Sequence, residues 1–211
     1  MANNILLLGN GEHCKSIIDS LLNLNFYDEI GIVSKEKENI NYRNVKCVGE
    51  DKDLANLRSC GWNHAFVAVG STRVTDIRKK LYDNIKSIGF NIPNIIDNSA
   101  ILSNSITLGE GIFIGKGVII NCDVSIGNNS IINTGSVIEH NCILGVGVHI
   151  APNSTLCGNV NIGNNSHIGA GTTIRQCITI GSNSTIGIGS VVVDDIGDNV
   201  ITFGNPCKVK K

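Results

Sequence analysis

Hydrophobic residues recur in two rhythms along this chain. From Leu102 to Val192 every sixth residue is aliphatic, sixteen positions without slip or insertion, running through Leu108, Ile114 and Ile120 to Ile180 and Ile186. Four residues after each of the first fifteen stands a small or branched residue, from Ile106 and Ile112 to Ser184 and Ser190. A helical period cannot hold that register. Offsets of four and two are both even, so the two sets share one face of short strands. Between them lie turn formers such as Gly127-Asn128-Asn129, Gly163-Asn164-Asn165 and Gly181-Ser182-Asn183, which tolerate left-handed corners. Three six-residue sides close a triangular coil of eighteen residues, and such coils stack as parallel strands roughly 4.8 Å apart. Ile114, Ile132, Ile150, Ile168 and Ile186 then form one interior ladder, and the repeat builds about five coils. An ordinary sandwich of short strands needs variable loops and looser spacing.

The first 95 residues keep a different beat. Ile5-Leu6-Leu7-Leu8 reads as a buried strand, and Ser16-Ile17-Ile18, Leu21-Leu22 and Leu24 recur at helical spacing. Glu29 to Val33 predicts a second strand, Asp51 to Ser59 a short helix and His64 to Val69 a third strand. Thr72 to Ile88 predicts a longer helix with Ile77, Leu81, Ile85 and Ile88 facing inward and Gly89 as its stop. Alternating strands and helices argue for a small Rossmann-like βαβ domain over residues 1–95, with the repeat domain at 96–211. After the repeat, Val200 to Phe203 looks like a returning strand and Gly204-Asn205-Pro206 a turn.

Composition narrows the function classes. With 17 Lys and Arg against 18 Asp and Glu, no basic excess points to nucleic acid or an anionic membrane. The apolar run at Ile5–Leu8 is too short for a signal peptide or a membrane insertion. Eight cysteines without a C-x-x-C pair suit free thiols in a cytoplasmic protein better than disulfides or structural zinc.

Two places carry candidate chemistry. The Gly9-x-Gly11 turn after the first strand has two of three dinucleotide glycines, and Ile32-Val33-Ser34 lacks the acidic residue that an NAD ribose wants. Those glycines either approach a phosphate or merely turn strand into helix, and His13 either contacts a substrate phosphate or caps the helix. In the repeat, His140, His149 and His167 all miss the inward slots, and His149 and His167, eighteen apart, stack on adjacent coils.

The pattern [LIV]-[GAED]-x-x-[STAV]-x resembles the hexapeptide-repeat acyltransferases. That resemblance, not the periodicity, implies a left-handed parallel β-helix, a homotrimer and acetyl-CoA in a groove between subunits. Ser136-Val137-Ile138-Glu139-His140-Asn141-Cys142 resembles the catalytic-histidine segment of the bacterial bacillosamine-pathway and sialic acid O-acetyltransferase family. The likeness spans nearly the whole chain, from Gly9, Gly11 and His13 through Gly70 and Ile77-Arg78-Lys79-Lys80 to Gly204 and Pro206. It implies N-acetylation of a nucleotide-linked amino sugar for bacterial surface glycans, with sugar O-acetylation as the alternative and no metal expected.

Residue by residue, the resemblance makes His140 the general base. His149 matches an acetyl-CoA contact, Gly158 the glycine whose N–H meets the thioester carbonyl, and Ala170 a wall of the pantetheine groove. His167, stacked on His149, joins the cofactor set. Gly11, Glu12, His13, Gly70 and Ser71 match nucleotide-sugar contacts. The chain departs from the family in two places. The acidic residue often found after the catalytic histidine is Asn141 here, which orients without adding charge, and Glu139 is the other candidate support. The uridine-binding members carry acidic residues where this chain has Val33-Ser34. Three rivals stay in view: a Cys122–His140 nucleophilic pair, a γ-carbonic-anhydrase-like metal hydrase and a non-catalytic assembly scaffold. The hydrase pattern has two histidines five apart, against spacings of nine and eighteen here.

Overall fold

The computed structural model describes residues 3–35, 41–71 and 76–210, which pack as two units. One comprises residues 1–70 and 76–98, the other residues 71–75 and 99–211.

The first unit is Rossmann-like. Strand β1 (Asn4–Leu8) leads into helix α1 (Glu12–Leu24), followed by β2 (Glu29–Ser34), β3 (Asn41–Tyr42), β4 (Val45–Glu50), α2 (Leu54–Ser59), β5 (His64–Val67) and α3 (Asp76–Ile88). A 3-10 turn at Asp51–Asp53 opens α2. The sheet order is β3-β4-β2-β1-β5, parallel except for the β3–β4 hairpin. Ile5, Leu6, Leu7 and Leu8 are wholly buried, as a central parallel strand covered on both faces requires. Leu6, Leu8 and Val33 share a core cluster with Trp62, Tyr82 and Ile85.

Two sequence expectations change here. The β3–β4 hairpin was not anticipated, although Val45 and Val48 offer a partial strand signal. The second correction concerns α3. Ile85 is buried and Leu81 and Ile88 pack against the core, but Ile77 is 61% exposed. One position on, Arg78 turns inward and donates from Nη1 to the carbonyls of Val67 (2.6 Å) and Val69 (2.8 Å) at the end of β5. Those carbonyls need donors, and a guanidinium supplies them where an isoleucine cannot. Gly89 stops the helix as expected, at φ +89°. The predicted start of α3 at Thr72–Thr75 lies outside the described residues.

The second unit is the left-handed parallel β-helix, whose two-residue strands form three faces. The first face holds Thr107–Leu108, Ser125–Ile126, Ile143–Leu144, Asn161–Ile162 and Thr179–Ile180. The second holds Phe113–Ile114, Ile131–Ile132, His149–Ile150, His167–Ile168 and Thr185–Ile186. Six strands from Ile101–Leu102 to Val191–Val192 make the third. Residues eighteen apart are in register, as Ile132↔Ile150 and Ile150↔Ile168 show. The sixfold ladder points inward, and the serines between it are satisfied by corner carbonyls, Ser136 Oγ donating to Ala151 O (3.0 Å) and Ser154 Oγ to Gly169 O (3.0 Å). Ile201–Phe203 returns beside Thr185–Ile186, and Lys208–Val209 pairs with it antiparallel.

Corner geometry explains the asparagines. From Gly111 to Gly189 every sixth residue has positive φ, and these are glycine, asparagine or aspartate with one exception, Cys177 at φ +60°. A side chain with no local hydrogen bond to offer is strained there by about 1 kcal/mol. Cys177→Asn, which restores the residue of the coils below, is expected to raise Tm by about 2–4 °C in a thermal melt. An unchanged or lower Tm contradicts this reading of the corner.

Candidate active site

Three sequence-predicted residues meet at one vertex of the β-helix. His140 and Asn141 lie on the turn between the third and first faces, and Gly158 lies one coil above His140. The His140 ring leans up over that glycine. A Cβ built on Gly158 would sit 2.5 Å from His140 Cε1 and 2.6 Å from Nε2. Cys122 lies one coil below.

Asn141 has two tasks. It holds the corner at φ +60°, and its Oδ1 lies 2.9 Å from His140 Nδ1. An amide oxygen only accepts, so Nδ1 carries the proton and the Nε2 lone pair faces the space over Gly158. Glu139 serves elsewhere: its Oε2 accepts from Asn121 Nδ2 at 3.0 Å, one coil down the outer side. The alternation of the strand aims it away from the imidazole. Among the described residues no acceptor takes the Gly158 N–H. A base nitrogen and that main-chain N–H thus lie at one corner, the kinds of group that acyl transfer uses.

The remaining cofactor candidates lie elsewhere on the prism. His149 and His167 project from the second face, opposite the His140 vertex, with ring centroids 4.8 Å apart edge to face. His149 Nδ1 donates to the carbonyl of Ser71. Burial lowers the His167 pKa, partly offset by that same carbonyl. Ala170 stands on the turn between the second and third faces. A single chain therefore separates His140, Asn141 and Gly158 from His149, His167 and Ala170.

In the first unit, Gly11, Glu12, His13 and Gly70 sit where β1 and β5 end, the edge at which parallel sheets bind ligands. Gly11 is the N-cap residue of α1, and no atom comes within 4 Å of a Cβ placed there. Glu12 is exposed and pairs with Lys15 at 2.7 Å. A Cβ on Gly70 would touch His13 Cβ at 3.4 Å. Burial, and after it the charge of Arg78, brings the His13 pKa down to about 4, so its ring is neutral at pH 7. Arg78 is the residue whose role sequence reasoning missed; its signals were polarity beside an apolar stripe and its place in the Ile77-Arg78-Lys79-Lys80 segment of the family likeness.

The thiols fall into place by burial. All eight cysteines are free. Cys142, in an inward slot, is pushed up to about 11 by burial and donates to Cys157 O at 3.2 Å, the behaviour of a core residue.

Comparison with known proteins agrees with this fold. Residues 4–85 match the PglD N-terminal domain, and residues 141–176 match the bacterial transferase hexapeptide family. No curated protein matches. Among solved structures, a variant of perosamine N-acetyltransferase from Caulobacter crescentus, in complex with CoA and GDP-perosamine, is 36% identical with a TM-score of 0.94, covering 99% of this chain and 97% of that one. The acetyltransferase domain of PglB from Neisseria gonorrhoeae, in complex with acetyl coenzyme A, is 30% identical with a TM-score of 0.93 over 100% of both chains. WeeI from Acinetobacter baumannii shares the fold at 18% identity and a TM-score of 0.86, covering 98% of this chain and 99% of that one. With more than a third of its residues identical to one such enzyme over nearly its whole length, and with a histidine poised over a glycine at one corner of the prism, this chain belongs to the bacterial hexapeptide-repeat sugar acetyltransferase family.

Proposed function

We propose that this protein transfers the acetyl group of acetyl-CoA to the amine of a nucleotide-linked amino sugar. The carrying observation is the His140–Asn141–Gly158 vertex, where Asn141 leaves the Nε2 lone pair of His140 free and the ring lies against Gly158. In the direct reaction the sugar nitrogen attacks the thioester carbonyl. Nε2 of His140 takes the proton the nitrogen sheds, the Gly158 N–H steadies the oxyanion, and as the C–S bond breaks the CoA thiolate takes up that proton from His140 and leaves as the thiol. The similar Caulobacter structure holds GDP-perosamine, and this chain lacks the acidic pair of the uridine-binding members, so a GDP-linked amino sugar is the leading acceptor.

We further propose a homotrimer. The His140 vertex is open to solvent in a single chain, while His149, His167 and Ala170 lie across the prism from it. A second copy brings the two sets together. Ile101 (64% exposed) and Ile119 (41%) form an apolar row on the third face that such assembly would cover. The eight free thiols support a reducing, cytoplasmic setting. In the described residues no helix is long and apolar enough to cross a membrane.

The test is a panel of GDP-, UDP- and dTDP-linked amino sugars with acetyl-CoA, scored by thiol release. Turnover is expected with an amino sugar and not with its hydroxyl counterpart. Release driven only by hydroxyl sugars would make the protein an O-acetyltransferase, and none with any sugar would defeat the reading.

A further inference from the structure

Strand β5 ends at Val67, yet the chain that leaves it is firmly held. Ala68 N still donates to Leu8 O at 2.8 Å, and the carbonyls on either side of Ala68 are taken by a side chain. That side chain is Arg78, on the first turn of α3, whose Nη1 reaches Val67 O and Val69 O together. Its Cζ also lies 5.9 Å from the centroid of the buried Phe66 ring. The exit so held has close neighbours within the same unit. A Cβ on Gly9 would meet Val69 Cγ2 at 2.6 Å and Val69 N at 3.3 Å, and one on Gly70 would meet His13 Cβ at 3.4 Å. The ends of β1 and β5 and the start of α1 therefore interlock, and a shift of Val69 is passed to Gly9 and His13.

From this arrangement we propose that Arg78 is a positioning residue for the acceptor, fixing the exit of β5 so that Gly9, His13 and Gly70 present one rigid edge to the nucleotide-linked sugar. The inference rests on the reading of His13 and Gly70 as nucleotide-sugar contacts. Arg78 is 3% exposed, so it acts through those residues and not on the ligand. A guanidinium suits the task. One Nη carries two N–H groups, which serve two carbonyls at once, and bonds from a charged donor are stronger than neutral ones. Burial, and after it the charge of Arg78, keeps the His13 ring neutral at pH 7, so the ring beside Gly70 holds one charge state there. An arginine that merely pinned α3 to the sheet would support stability alone. One that sets this edge also decides how well the sugar is held.

Two measurements on the full-length protein separate these roles. The first is KM for the nucleotide sugar and for acetyl-CoA in wild type, Arg78→Met, Arg78→Lys and Ile85→Ala. Ile85 is buried in the same core two turns along α3, so its truncation lowers stability without touching the β5 carbonyls. Methionine keeps the length of the arginine stem and removes its donors. It is expected to raise the sugar KM about tenfold to a hundredfold, the order of a lost bond to a charged group, with the acetyl-CoA KM unchanged. Lysine, which keeps charge and donors, is expected to recover part of the loss, and Ile85→Ala to lower Tm with both KM values near wild type. The second is amide hydrogen exchange of the peptide Phe66–Gly70 in ligand-free protein, which needs no turnover. Exchange there is expected to quicken more in Arg78→Met than in Ile85→Ala. An unchanged sugar KM, an equal rise for acetyl-CoA, or an equal rise in Ile85→Ala overturns the proposal, as does unchanged exchange. Should methionine prevent folding, Arg78→Lys carries the same test with a smaller expected rise in the sugar KM. Failure of wild type to acetylate any sugar in the panel defeats the proposed function, whereas unchanged exchange with turnover intact defeats the role of Arg78 alone.

Discussion

Replacing His140 by alanine is expected to lower kcat by about 10² to 10⁴, the usual range for a lost general base, with KM for both substrates within a few-fold. The reason lies in how the ring is held. It is exposed at a vertex and, among the described residues, its side chain is hydrogen-bonded to Asn141 and lies over Gly158, so its removal leaves the β-helix intact. The effect therefore falls on chemistry. Steady-state kinetics with saturating acetyl-CoA, beside a melting curve that matches wild type, check it. Full activity in the alanine variant would take the base away from His140 and leave only the glycine donor. A two-step route through Cys122 would need the imidazole to face the coil below, whereas it faces the coil above.

The β-helix was legible because its rule is short and repeated. A sixfold beat fixes which residues point inward, and the turn residues fix where the corners fall. Ile132, Ile150 and Ile168 are therefore buried as the spacing demands. The first unit gave a weaker signal. Its helices declare a stripe only to within one position, so Ile77 and Arg78 exchanged places, and polarity alone did not reveal that two carbonyls at the end of β5 needed a donor.

The candidate site was legible in its members and not in its partition. Sequence spacing stacks Gly158 above His140 and His167 above His149. It does not say that the first pair occupies a vertex and the second the opposite face, since that depends on where each residue falls within its own six. Nor does it say that His149 Nδ1 meets a carbonyl 78 positions earlier in the chain. Asn141 is the instructive middle case. The corner demands a residue that tolerates positive φ, and among those asparagine also presents an acceptor to the neighbouring imidazole. One physical demand selected the residue and a second put it to use, so fold and chemistry cannot be assigned separately at this position.

The second large effect is expected at Gly158. Its φ lies outside the left-handed region, so alanine fits its backbone, and the cost of Gly158→Ala is local. The new methyl would sit 2.5–2.6 Å from Cε1 and Nε2 of His140, well inside van der Waals contact. The ring is the movable partner and must swing outward, which breaks its bond to Asn141 and takes the Nε2 lone pair away from that corner. The methyl also crowds the glycine whose main-chain N–H is proposed to meet the thioester oxygen. Loss of one oxyanion donor alone costs about 10² to 10³ in kcat, and the displaced base adds to it. We therefore expect kcat to fall at least a hundredfold while Tm stays within about 2 °C, because an exposed ring moves more cheaply than a coil. The signature that separates this from misfolding is non-additivity. Adding Gly158→Ala to His140→Ala is expected to cost much less than the product of the two single losses, since the first already removed the ring that the methyl displaces. If the two losses multiply in full, the methyl acts on something other than His140, and the contact at this corner is not the one that matters for turnover.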